Sequence, residues 1–283
     1  NALELGPKLR LWARPNVLSA LAAKLPPTNH DKPELVFGGS GDFHHVSALL
    51  LERLTPDLPP NSITVLHFDN HPDWVRFQNG MHCGSWVGRA GRLNAVSKIV
   101  TIGLCSRDIL RPRADNVDLA LISAGRLDIF AYSNPAGGSR VELCGRQWPA
   151  IEDMSDEEIA ELVLGEIKTE AIYITIDKDV LNAKQAVTNW DQGKMQLTTI
   201  QHIIEKAMGR HKIAGADIFG DWSLAEYSGG LLTRLLKHGE AILDQPWERP
   251  NASIANFTNE AANLSLLGSF SGRNDIMNWA QSA

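Results

Sequence analysis

Residues 62–73 read Ser62-Ile63-Thr64-Val65-Leu66-His67-Phe68-Asp69-Asn70-His71-Pro72-Asp73, and this stretch decides the fold. Its first half is almost unbroken in apolar and β-branched residues. Such a run describes a strand buried on both faces, as in a parallel sheet covered by helices. Directly behind it stands Asp-x-His-x-Asp. Alternate residues leaving a strand point the same way, so Asp69, His71 and Asp73 can present three ligands on one side. In a parallel sheet, ligands bind beyond the carboxyl ends of the strands. The charged groups therefore stand where function is expected.

Working outward, the same pattern recurs. Glu34–Gly38, Ile99–Leu104, Ala171–Ile176 and Ile213–Ile218 are further short, nearly continuous apolar strands. Helical patterns separate them, which predicts an α/β fold with a mainly parallel sheet. Ser155 with Glu158, and Thr198 with Gln201, read as capping boxes opening two helices, the first running through about Lys168. His45–Leu54 and Gly230–Lys237 read as further helices, and residues 131–150 as a loop excursion. No repeat or linker divides the chain, so residues 1–283 are expected to form one domain. The segment from about 251 to 283 gives no clear reading.

Four strand ends carry acids or histidines. Besides Asp69-Asn70-His71-Pro72-Asp73, these are Asp177-Lys178-Asp179, the turn Gly39-Ser40-Gly41-Asp42 with His44 and His45 behind it, and Gly220-Asp221-Trp222. Crowded carboxylates repel one another unless a cation compensates. Mixed carboxylate and imidazole ligands suit manganese, iron, cobalt or zinc. The set exceeds what one tetrahedral zinc needs and fits a pair of ions that activate a bridging water. His67, inside the strand, reads as a core histidine, and Asp108, Asp115 and Asp217 read as caps or turn formers.

At these residues the sequence resembles the ureohydrolase superfamily of arginases, agmatinases and formiminoglutamases. The family's motifs run in the order Gly-Gly-acid-His-Ser, Asp-x-His-x-Asp, Asp-x-Asp. Here they stand as Gly41-Asp42-Phe43-His44-His45, Asp69-Asn70-His71-Pro72-Asp73 and Asp177-Lys178-Asp179, within a likeness spanning roughly residues 34–222. The resemblance implies a three-layer αβα sandwich. It implies two manganese ions, one on His44, Asp69, Asp73 and Asp177, the other on His71, Asp69, Asp177 and Asp179, with His45 the alternative to His44. His82, in Gly80-Met81-His82-Cys83-Gly84, would be the proton shuttle. The implied activity is hydrolysis of a linear C–N bond in a guanidino, amidino or related small molecule, with hydroxide bridging the ions as nucleophile.

The departures from the family lie around the substrate. The third motif continues as Val180-Leu181-Asn182, and the next loop is Thr188-Asn189-Trp190-Asp191. The family's substrate-gripping Glu falls near Gly220, leaving Asp221 as its expected substitute. Asn189, Trp190 and Asp221 are thus the substrate-binding candidates. Trp74, Trp86 and Trp222 are further aromatics near the site in sequence, for stacking or for the core. Two other readings stay open: a mononuclear zinc deacetylase-like hydrolase, and a non-catalytic descendant that binds metal.

Bulk properties bound the partners. A formal net charge of −6 attracts neither nucleic acid nor an anionic membrane. No apolar run approaches the roughly 18 residues of a membrane span, and no basic-then-apolar start suggests a signal peptide. Cys83, Cys105 and Cys144 are widely spaced and odd in number, which fits reduced cytoplasmic thiols. The expected partner is a small-molecule substrate, and the resemblance allows for a homo-oligomer.

Overall fold

The computed structural model describes residues 3–30, 32–110, 112 and 116–271. Asp115 and the stretch 272–283 lie outside the described residues. Six strands build the central sheet: β1 (Leu35–Gly39), β2 (Ile63–Phe68), β3 (Val96–Leu104), β4 (Leu127–Ala131), β5 (Ala171–Asp177) and β6 (Lys212–Phe219). Their order is β1-β6-β5-β2-β3-β4, every neighbouring pair parallel. All six residues of β2 are buried, as the unbroken apolar run requires of a central strand.

Helices flank the sheet and make a three-layer αβα sandwich. α1 (Val46–Leu54) packs on the short helix Trp86–Ala90, while α2 (Asp156–Glu166) packs on α3 (Leu197–Met208). Ser155 and Glu158 form the expected capping box on α2, which ends at Glu166. The second expected box is absent. α3 starts at Leu197 with Gln196 as its cap residue, and Gln201 instead donates to Ser265. Two helices follow the sheet: α4 (Leu231–Asp244), longer than its sequence reading, and α5 (Ala252–Phe270), capped by Asn251. Among the described residues, no helix is long and apolar enough to cross a membrane.

Several elements escaped the sequence, among them the helix Pro15–Ala22 and the short antiparallel ladder of Trp12–Ala13 with Met81–His82. The apolar run of β4 is interrupted by Asp128, a fully buried acid bonded to Lys98 and Trp148. Residues 131–150 are not a plain loop but contain the hairpin Arg140–Leu143 and Arg146–Pro149. Its two connecting residues, Cys144 and Gly145, have φ of 52° and 73°, the left-handed pair that a tight hairpin turn needs.

Candidate metal centre

The register of the sheet creates the site. Phe68 of β2 pairs with Ile176 of β5, so Asp69 and Asp177 emerge side by side although far apart in sequence. β1 lies beyond β6 and delivers a short turn, Gly41–Phe43, started by Ser40, whose hydroxyl accepts the Asp42 N–H. That turn swings His44 over the same strand ends. A Cβ on Gly41 would fall 2.5 Å from one oxygen of Asp177, and a Cβ on Gly220 2.5 Å from the other. Only glycine leaves room for the carboxylate between them.

His44 is the informative group. Its Nε2 lies 2.9 Å from the Thr175 hydroxyl, which itself donates to Asp217 at 2.5 Å. Asp217 also accepts from Tyr173 and Ser47, so it is an acceptor on every side and not the turn former the sequence suggested. With the Thr175 proton committed to Asp217, the hydroxyl oxygen accepts from His44, which puts the ring proton on Nε2. Nδ1 is left bare in the neutral ring. It has no hydrogen-bond partner, yet it faces oxygens of Asp69 at 3.1 Å, Asp73 at 3.1 Å and Asp177 at 3.6 Å. A lone pair turned on three carboxylates demands a cation between them, either a proton or a metal ion. A ring N–H tied back through Thr175 to a carboxylate is the usual support of a metal-binding histidine. The residues present therefore fit a metal ion.

A second constellation shares Asp69. His71 Nδ1 lies 2.9 Å from Asp179 and 3.5 Å from Asp69, and its Nε2 lies 2.8 Å from Asp191. Among the described residues, the two groups with mutually close ligand atoms are His44, His67, Asp69, Asp73 and Asp69, His71, Asp179. His67 is buried in β2, as expected of a core histidine, but its Nε2 also meets Asp69 at 2.8 Å and orients it. Asp191 stands one residue beyond the nominated Trp190, and its acid type was the only signal for it.

Apart from His67, these groups line a cavity of about 430 Å³, which His82, Trp190, Asp108 and Asp244 also line. His82 has both nitrogens engaged: Nδ1 accepts from the Gly84 N–H at 2.9 Å, and Nε2 meets Glu240 at 2.5 Å. Glu240 comes from α4, and Trp12 donates to its other oxygen at 3.0 Å. No sequence signal pointed to Glu240, because only the docking of α4 brings it to His82. Asp221 is turned away from the cavity, its carboxylate bonded to the buried Lys178 and to Asn263. Asn189 spends its side chain on Ser40 and Ser223. Trp74 and Trp86 are buried, while Trp190 remains at the wall with its indole N–H on Asp42.

Electrostatics agree with a cation site. Burial and the neighbouring charge of Asp69 push Asp177 up to about 7. Burial, then Asp177 and Asp69, raise Asp179 well above the usual carboxylate range. Burial works against the charge on His44, but Asp69 and Asp73 outweigh it and hold its pKa well above that of free imidazole.

His45 differs from its neighbour. It is fully buried, neither ring nitrogen has a partner, and burial lowers its pKa to about 3. The unfolded chain protonates this residue near pH 6.5, so its contribution to stability is complete above 6.5 and is lost as pH falls toward 3. His45→Leu is expected to flatten that acid limb. Urea melts at pH 7, 5.5 and 4.5 would show the variant gaining on the wild type with each step, and parallel curves would refute the assignment.

Comparison with known proteins bears on the fold. No family model matches the chain. A curated but uncharacterised protein of Thermotoga maritima is 24% identical over 204 residues, covering 71% of this chain and 65% of that protein. Formimidoylglutamase from Bacillus subtilis superposes with a TM-score of 0.57 at 14% identity, over 90% of this chain and 66% of that one. Arginase from Bacillus cereus superposes with a TM-score of 0.54 at 16% identity, over 92% of this chain and 78% of that one. The fold is the arginase fold. The chain thus spans somewhat under two thirds of the length of its curated relative. At such identities the likeness to the arginase fold is one of fold alone, and the side chains of the site must be argued on their own geometry.

Proposed function

We propose that the chain is a divergent ureohydrolase that cleaves a C–N bond in a small guanidino, amidino or related compound with the help of two divalent cations, manganese being the first candidate. The observation that carries this reading is the bare Nδ1 of His44 facing Asp69, Asp73 and Asp177. His44, Asp69, Asp73 and Asp177 would hold one ion, and His71, Asp69, Asp177 and Asp179 the other. When bound, the pair supplies water acidified enough to attack at neutral pH. The chain's own groups do the rest. Thr175 and Asp217 orient His44, and Asp191 braces His71. His82, backed by Glu240, is the proton-handling candidate at the wall.

Asp108, Asp191 and Asp244 stand around the cavity, and no lysine or arginine is among its described lining residues. That balance favours a cationic substrate. Trp190 offers a ring face for it, while Asp221 and Asn189 would act only by holding loops. The second constellation around His71 supports two ions over the single zinc of a deacetylase-like enzyme. Three unpaired cysteines fit a reducing, cytoplasmic setting.

The test is a panel of arginine, agmatine, other guanidino acids and formimino compounds, incubated with manganese-loaded protein and assayed for urea or ammonia. Release from a cationic member is expected. Full metal occupancy with no release from any compound would leave a non-catalytic metal-binding protein. Deacetylation of acetyl-lysine with one zinc per chain would establish the other enzyme.

A further inference from the structure

The helix α4 is amphipathic in the wrong direction for a monomer. Lys237, on its inner side, is 1% exposed and Glu240 reaches His82, whereas Leu231, Leu232, Leu235, Leu236, Ile242 and Leu243 are 56–83% exposed. At 100° per residue these six fall within one continuous arc, opposite Lys237 and Asp244, with Gly239 in its middle. A surface helix ordinarily does the reverse. Trp247, just past the helix end, is 85% exposed.

We infer that the outer face of α4 is an interface with a second copy of this chain. At roughly 100 Å² for each exposed leucine or isoleucine, the order that a transfer energy of about 1.5–3 kcal/mol at roughly 25 cal/mol per Å² implies, the six side chains alone offer roughly 600 Å². A standard protein–protein interface takes about 800 Å² from each partner, whereas scattered surface leucines take no such area. The arc itself carries no charged side chain, so a matching uncharged helix face complements it, and a two-fold axis supplies one in every other copy. A net charge of −6 argues against an anionic lipid surface as the occupant. The face also reaches the cavity wall through Leu243, which belongs to both. Association therefore brings the partner copy to the mouth of the cavity.

The experiment is the molar mass of the full chain by light scattering, over about 1 to 100 µM. The wild type is expected to be dimeric or a higher even assembly. Leu235→Glu with Leu236→Glu should weaken association at least roughly 100-fold while leaving circular dichroism unchanged. Leu235→Met with Leu236→Met should keep the assembly. A wild type that stays monomeric at the top concentration overturns the proposal. So does a glutamate variant that associates as tightly as the wild type, or a methionine variant that is monomeric and folded.

Discussion

Asp177→Asn is expected to raise the stability of the metal-free protein and to abolish its response to divalent cations. In the folded, metal-free chain this carboxyl keeps its proton to about pH 7, because burial and Asp69 oppose its charge. Unfolded, it ionises near 3.8. The folded state therefore binds more protons between those values, and stability falls as pH rises from about 4 to 7. Above pH 7 the full cost of the buried charge is present. Asparagine removes that cost. Divalent cations remove it differently, by binding only the folded cluster, and they compete with protons for it.

Calorimetry at pH 8 and pH 6, with and without manganese, reads both effects. Wild-type protein should gain many degrees from manganese at pH 8 and much less at pH 6, with about two ions per chain by elemental analysis. The variant should melt higher than the wild type in chelator and gain little from manganese. Its turnover should fall by roughly a thousandfold or more, since several kcal/mol of charge stabilisation go with the ions. An equal gain from manganese in both proteins would remove Asp177 from the ligand set.

Lys237→Met is expected to cost about 2–5 kcal/mol of stability, the largest loss from any single change on α4. The Lys237 ammonium donates to the carbonyls of Lys8, Arg10 and Trp12 at 2.9, 2.7 and 2.6 Å and lies 4.6 Å from the Trp12 ring centre. Methionine fills similar space but leaves buried acceptors without a donor. α4 would then loosen from the N-terminal segment, and Glu240 from His82. Burial lowers the Lys237 pKa to about 8. Between 8 and about 10.5 the unfolded chain binds more protons than the folded one, so the wild type gains from this group as pH rises. The variant lacks that slope. Denaturant melts at pH 7.5 and 9.5 test both statements, and a loss below about 1 kcal/mol would mean that water replaces the ammonium.

Much of this molecule was legible because chemistry and periodicity coincide at strand ends. The runs ahead of Asp69 and Asp177 could only be buried strands, and parallel strands deliver their ends to one edge. The choice between His44 and His45 needed coordinates, since one residue of rotation in a short turn decides which ring meets the aspartates. β4 was hidden by Asp128, whose charge is legible as buried only once Lys98 and Trp148 are seen beside it. Glu240 was hidden for another reason: it belongs to a helix after all the motifs, and its position is set by packing against Trp12. Asp221 illustrates the converse. Its place in the sequence is right for a substrate contact, yet the buried Lys178 claims it.

The strand order also sets a timetable for synthesis. β2, β3 and β4 are neighbours in sequence and in the sheet, so they can pair as they emerge. Of the six strands, β1 is made first, but its only ladder partner among the described residues is β6, which starts at Lys212. At about 5–20 residues per second, β1 waits on the order of ten seconds or more with its edges open. The turn bearing His44 waits with it. The first of the six sheet strands to be made is thus among the last to be seated, and an edge held open that long is where a chaperone would be needed most.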